Sequence, residues 1–229
     1  MNVLLLFLLA TVPALIICIL IIQADKHEKE DKLQLLLALL SGAIITIPAF
    51  YVEAMAHNAG WEEPTNISKT ILYSFLAIGG VEELLKALAL VLLFYPRRFF
   101  NEPFDGILYS VMIGMGFALV ENYLYAYRLG DVSNLVVRAF TAVPAHASFG
   151  IIMGYFAGKA KFDSSMPGRR LVLGFLLAAL IHGAYDFFIL YERYEWLGGL
   201  ALVCLVLSVF YARRLIKLHQ QNSPFKEQA

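Results

Sequence analysis

Seven ionisable side chains stand inside long apolar runs of this sequence: Glu82, Glu83, Lys86, Glu121, His146, His182 and Asp186. Each charged residue at the centre of a membrane helix costs ~2.5–3.5 kcal/mol on insertion scales, so several together require mutual pairing, water or a function. Their types are those of hydrolysis. A glutamate in an apolar, poorly hydrated pocket can accept a proton from water near neutral pH. A neighbouring histidine can hold that water or protonate a leaving amine. Asn122, beside Glu121, or the second histidine could stabilise the oxyanion of a tetrahedral intermediate. Peptide hydrolysis uses all three parts. The side chains of His146, His182, Asp186 and Glu121 also form a nitrogen and oxygen set suited to zinc. The residues favour no cofactor and leave zinc open, because a water held by glutamate and one held by zinc use the same groups.

Spacing says which of these side chains can meet. Glu82 and Lys86 are four apart and Glu83 and Lys86 three apart, so one helical face lets the lysine neutralise either carboxylate. His182 and Asp186 are also four apart, a spacing at which a carboxylate can fix an imidazole tautomer. His146, Gly150, Gly154 and Gly158 make one ridge, and Gly174, Ala178, His182 and Asp186 another. Small residues at that interval let helices approach closely in lipid, which turns both histidines inward. At ~1.5 Å rise per residue, Glu82, Glu121, His146 and His182 lie about 18, 10, 18 and 13 Å from one end of their runs. They can share one layer. Glu82 is preferred as general base because it shares a face with Lys86, with Glu83 the alternative. Purely structural uses exist for each group alone: a Glu83–Lys86 ion pair, interhelical histidine bonds, Asn122 as packing glue.

Other chemistries are excluded by inspection. His27-Glu28 lacks the second histidine of a zincin, and no serine stands in a Gly-x-Ser-x-Gly turn. Gly130-Asp131 lacks the preceding glycine of the presenilin-type pattern, and no glycine-rich phosphate loop occurs.

The elements that must carry these residues follow from composition. Of 229 residues, 60% are hydrophobic and 16% charged, too apolar for a soluble domain of this size. The sequence predicts an all-α fold: a polytopic membrane helical bundle of about seven transmembrane helices, at roughly 3–22, 33–53, 70–95, 106–128, 134–158, 170–191 and 196–212. The first run has no basic leader segment and no small-residue cleavage site, so it reads as a retained span. We expect a single membrane-embedded domain over residues 1–229, with a motif-bearing core at about 70–191.

Thirteen of the 18 Lys and Arg residues fall in the odd-numbered loops and the C-terminal tail, against four in the even-numbered loops and helix ends. This bias places the N-terminus outside and the C-terminus in the cytoplasm. Glu53 and Arg138, near span ends, read as snorkelling residues. The stretch from Ala54 to Lys69 reads as an outer interfacial loop anchored by Trp61, and Asn66-Ile67-Ser68 is a formal glycosylation sequon. Cys18 and Cys204 lie in apolar runs and read as buried side chains. With zero net charge, nothing points to nucleic acid; membrane lipid is the expected surround.

Four blocks carry a resemblance. Glu82-Glu83-Leu84-Leu85-Lys86 matches EExxK, Phe117 to Asn122 matches FxxxEN, His146 to Gly150 matches HxxxG, and His182 to Asp186 matches HxxxD. In this order on consecutive spans, over about residues 79–190, they resemble the PrsW family of bacterial intramembrane proteases. They are similar, more distantly, to the CAAX prenyl endopeptidases and Abi proteins. The resemblance implies a multi-pass protein of the bacterial inner (plasma) membrane that makes the site-1 cut in a single-span partner, an anti-sigma factor. It implies Glu82 or Glu83 as base and His182 as the essential imidazole, with Glu121, Asn122, His146 and Asp186 completing the pocket. The family has also been classed as metalloproteases, so zinc stays possible. Two other readings use the same residues: a non-enzymatic membrane scaffold, as in the related scaffold subunit of gamma-secretase, and a proton- or cation-coupled transporter. Against the transporter, no inverted repeat with broken helices is visible.

Overall fold

The computed structural model describes residues 3–163, 165–194 and 196–226, and among these there is no strand. The helices are α1 (Val3–Ala24), α2 (Lys32–Asn58), α3 (Ile67–Leu72), α4 (Val81–Ala89), α5 (Pro103–Leu129), α6 (Val132–Phe140), α7 (Ala142–Phe162), α8 (Pro167–Leu190) and α9 (Leu197–Gln221). A wider π-helical stretch at Tyr73–Gly80 joins α3 to α4, and a second at Leu90–Phe94 prolongs α4, so that Ile67 to Phe94 is one continuous helical run. Six stretches are single helices, or the α6–α7 pair, long and apolar enough to cross a membrane. The composite run from Ile67 to Phe94 passes alongside them.

Helix α5 is the hub. Its most apolar window is 89% buried inside the protein, whereas those of α1, α2 and α9 are 28% buried and turn most of their surface outward. Leu4, Phe7, Ile19, Leu20, Leu207 and Phe210 are among the exposed apolar side chains of that outer belt, as expected of a surface solvated by lipid tails rather than water. Glycines set the close approaches to α5. A Cβ at Gly106 would collide with the Gly154 carbonyl of α7, one at Gly154 with the Gly106 carbonyl, and one at Gly116 with the Leu39 carbonyl of α2. The Gly150–Gly154–Gly158 ridge of α7 thus lies against α5, so His146 at its head is carried into the interior.

Helix ends are fixed by ordinary chemistry. Asp31 caps α2 by accepting from the Leu33 amide at 2.6 Å, and Asp131 caps α6 by accepting from the Ser133 amide at 2.9 Å. Asn66, first residue of the sequon, caps α3 by accepting from the Lys69 amide at 3.2 Å. Glu102 and Asp105 form a capping box around Pro103 at the start of α5. Gly130, at φ 58°, closes α5 in the left-handed region.

Two span expectations need correction. The expected helix over 134–158 is two helices, broken at Thr141, where φ −122° and ψ −71° lie outside the helical well. The last helix runs on past residue 212 to Gln221, because its final turns hold Arg213, Arg214 and Lys217 on one exposed side while His219 stays buried and bonds the Tyr155 carbonyl at 2.9 Å.

Candidate active site

Five helices converge where the titratable residues lie. Helix α4 supplies Glu82, Glu83 and Lys86, α5 supplies Glu121 and Asn122, α6 Arg138, α7 His146, and α8 His182 and Asp186. The π-helical stretch before α4 decides how α4 enters. Gly79 there abuts α8 so closely that a Cβ would stand 2.7 Å from the Gly183 nitrogen and 2.9 Å from the Ala179 carbonyl oxygen. This contact places Glu83 beside His182, one residue from Gly183.

Lys86 is the centre of the network. Its Nζ donates to Glu82 Oε2 at 3.0 Å and to Glu83 Oε1 at 2.8 Å. It also lies 3.1 Å from His146 Nδ1 and 4.1 Å from the Phe117 ring centroid. An ammonium has only donors, so His146 Nδ1 accepts and the ring proton belongs on Nε2. That nitrogen lies 2.9 Å from Glu121 Oε2, to which it donates. Arg138 closes this arm, with Nη2 at 2.8 Å from the same Glu121 oxygen and Nε donating to Asn122 Oδ1 at 2.7 Å.

The second arm is His182. Its Nδ1 donates to Glu83 Oε1 at 2.9 Å, and its Nε2 lies at ion-pair distance, 3.1 Å, from Asp186 Oδ2, off hydrogen-bond angle. A ring protonated on both nitrogens satisfies both contacts. The two imidazoles meet edge to face at 5.2 Å, and Phe149 stacks on His182 at 4.7 Å. These rings exclude water from one side of the cluster.

Burial grades across the site. Glu82, Glu83, Lys86, His146, His182 and Asn122 are all buried, whereas the side chains of Glu121 and Asp186 are 19% and 18% exposed. The access side therefore runs past Glu121 and Asp186. Glu83 has one oxygen committed to two donors and its other, Oε2, buried without a partner; Asn122 Nδ2 is likewise an unused donor. Glu82 carries a single ammonium contact. Its carboxylate is the less committed of the two.

The tight set of metal-capable donors differs from the expected His146, His182, Asp186 and Glu121. Glu82, Glu83, His146 and His182 each offer one atom, and these atoms lie within 4.8 Å of one another. Asp186 and Glu121 fall outside it because each faces the outward Nε2 of its histidine, while both Nδ1 atoms point to the α4 side. The donor types suit zinc, and the unpartnered Glu83 oxygen would be a ligand. Lys86, however, touches three of the four donors, and a dication and an ammonium repel. The donors fit a metal once Lys86 turns aside.

Two further residues belong here that sequence reading put elsewhere. Arg138 pairs with Glu121 inside the protein, its side chain 13% exposed, and its guanidinium covers Tyr125 at 3.9 Å. Because α6 is a separate short helix, Arg138 reaches inward instead of snorkelling. A signal was available: Leu135, three residues away on the same face, is apolar and buried. Glu53, near the end of α2, has Glu82, Glu121, Asp186 and His182 as its electrostatic neighbours, so it faces the site as well.

Comparison with known proteins agrees in outline. The family described as "PrsW family intramembrane metalloprotease" matches residues 30–212. A protein named "Protease PrsW" from Clostridioides difficile (strain 630) is 34% identical, covering 97% of this chain and 93% of its own length. A second of that name, from Bacillus subtilis (strain 168), is 32% identical over 86% of this chain and 88% of its own. A third, from Geobacillus kaustophilus (strain HTA426), is 32% identical over 79% and 78%. No solved structure matches the chain.

Proposed function

Since the chain belongs to the PrsW family of intramembrane proteases, we propose that it cleaves a single-span membrane protein by a glutamate-activated water at the Glu82–Lys86–His182 cluster. The observation that carries this reading is the convergence of α4, α5, α7 and α8 on one buried network in which Glu82 is held by a single contact. Glu82 takes the proton from water. Lys86 holds Glu82 and Glu83 in place and balances their charge. His182, braced by Glu83 and Asp186, is positioned to hand a proton to the leaving amine. The unused Asn122 amide is the donor for the oxyanion. Arg138 fixes Glu121, and through it His146.

The substrate we assign is an anti-sigma factor, cut at site 1. The cluster lies toward the end of the bundle where α5 ends and α8 ends; with the N-terminus outside, that is the outer half of the membrane, which suits a cut on the outer side. A second reading rests on the compact donor set: a zinc ion held by Glu82, Glu83, His146 and His182 would supply Lewis-acid activation of the water.

The test uses purified protein in detergent with a single-span anti-sigma factor, wild type against Glu83→Gln, His182→Ala and His146→Ala, with metal content measured alongside. The glutamate reading expects cleavage that survives chelation at sub-stoichiometric metal and drops at least about 100-fold in Glu83→Gln and His182→Ala. One tightly held zinc per chain, with activity lost on its removal, would replace that reading by the zinc form. Undiminished cleavage in all three variants would overturn both.

A further inference from the structure

A second cluster of carboxylates lies at the other end of the bundle, about 24 Å along α5 from Glu121 at ~1.5 Å per residue. The α1–α2 loop brings Glu28 and Glu30 to Asp105 in the first turn of α5, and one oxygen from each lies within 4.8 Å of the others. Asp25 and Glu102, both buried, border the group.

The way these carboxylates are held is informative. Asp105 is fully buried; its Oδ2 accepts from the Asn101 and Glu102 amides at 2.6 and 2.8 Å, and its Oδ1 has no partner. Glu30 accepts from the Tyr109 hydroxyl on Oε2 and leaves Oε1 buried and unpartnered. Glu28 Oε2 and Asp25 Oδ1 are in the same condition. In Glu30 and Asp105 one oxygen is thus anchored to the protein and the other is left over, inside, facing like charge. Among the described residues no Lys or Arg forms an ion pair with Asp25, Glu28, Glu30, Glu102 or Asp105. Two lysines of this end bond backbone carbonyls instead. Lys29 bonds the Ile22 and Asp25 carbonyls, and Lys161 bonds those of Tyr95 and Arg97.

Buried carboxylate oxygens that face one another require a proton or a cation between them. We propose that Glu28, Glu30 and Asp105 bind a hard divalent cation, Mg2+ or Ca2+, through their unpartnered oxygens. An all-oxygen set selects these ions over zinc. Asp25 adds a fourth carboxylate oxygen at the edge. The ion would tie the α1–α2 loop to the start of α5, and Glu102, which accepts from the Ser223 hydroxyl, extends the tie to the segment after α9. Its role is structural: it clamps the end of the bundle remote from the candidate active site.

The test is thermal unfolding of the full purified chain in detergent after chelation, with Mg2+ or Ca2+ added in separate arms up to about 10 mM, above the weakest affinities typical of such ligands. The expected result is a saturable rise in midpoint of several degrees, absent in Glu30→Gln and Asp105→Asn. Both substitutions keep the acceptors that anchor Tyr109 and the α5 amides. Glu28→Gln, at the rim, carries the test if Asp105→Asn fails to fold. A wild-type midpoint unmoved by either ion, with Glu30→Gln more stable than wild type in chelator, would mean that the carboxyls share protons and would overturn the proposal. So would a rise that persists in Glu28→Gln and Glu30→Gln.

Discussion

The Lys86 ammonium holds Glu82, Glu83 and His146 at once, so its removal leaves two buried carboxylates without their shared cation. Breaking a buried pair from one side costs on the order of 3–5 kcal/mol. Lys86→Met should therefore lower the unfolding midpoint sharply, and Lys86→Met combined with Glu83→Gln should recover part of the loss. An unchanged midpoint in the single variant would show that Lys86 does not balance these charges. At this scale much was legible in sequence, because an ionisable residue in an apolar run stands out whatever its neighbours do. The intervals of three and four residues in Glu82–Lys86 and His182–Asp186 also foretold real contacts. Arg138 and Glu53 were misread for the converse reason. Near a span end a charge has an inexpensive route to water, and the turn at Thr141 lets Arg138 take the inward one.

Element geometry depends on how closely helices approach, and the π-helical turns at Tyr73–Gly80 mark one close approach near the site. A π turn admits an extra residue and rotates the helix beyond it, so the face that α4 offers is set just before Glu82. Gly79→Ala would push its Cβ into the backbone of α8 at Gly183 and Ala179. The expected outcome is a loss of about 1–3 kcal/mol, as for an overpacked core, and a larger fall in cleavage rate, since His182 moves with that backbone. Gly168→Ala, where a Cβ meets nothing within 4 Å, should leave both unchanged. Equal behaviour of the two variants would remove the significance given to the contact. Sequence foretold the small-residue ridges of α7 and α8 because spacing alone defines them. It offered no access to the π turns, which arise from packing of the Tyr73–Gly80 stretch against α8, and none to the tight donor set, which depends on which ring nitrogen faces which helix.

For the whole molecule, apolar length and the placement of Lys and Arg pointed to a helical membrane bundle before any coordinates. Contacts at the two ends bring the connecting segments together. The Gln220 amide reaches the Ala24 carbonyl at 2.6 Å and Lys161 the Tyr95 carbonyl at 2.7 Å at one end. At the other, the Glu192 amide bonds the Pro64 carbonyl at 3.0 Å. If the composite run from Ile67 to Phe94 crosses together with the six long apolar helices, the termini lie on opposite sides. Cysteine placed at the exposed position Ser68 should react with an impermeant thiol reagent applied to intact cells. At the exposed Ser165 it should react only after the membrane is opened. The reverse pattern would invert the orientation and move the site to the inner half of the membrane.

Catalysis of the proposed kind turns on Glu82 as the group that takes a proton from water. A single-turnover cleavage rate for Glu82→Gln against wild type, on protein with an unaltered unfolding transition, addresses it directly. Glutamine keeps the shape and the acceptor for Lys86 but no longer serves as a base, so the rate should fall by at least ~100-fold. A rate within a few-fold of wild type would contradict the assignment, and the Glu82 carboxylate would have no part in the chemistry.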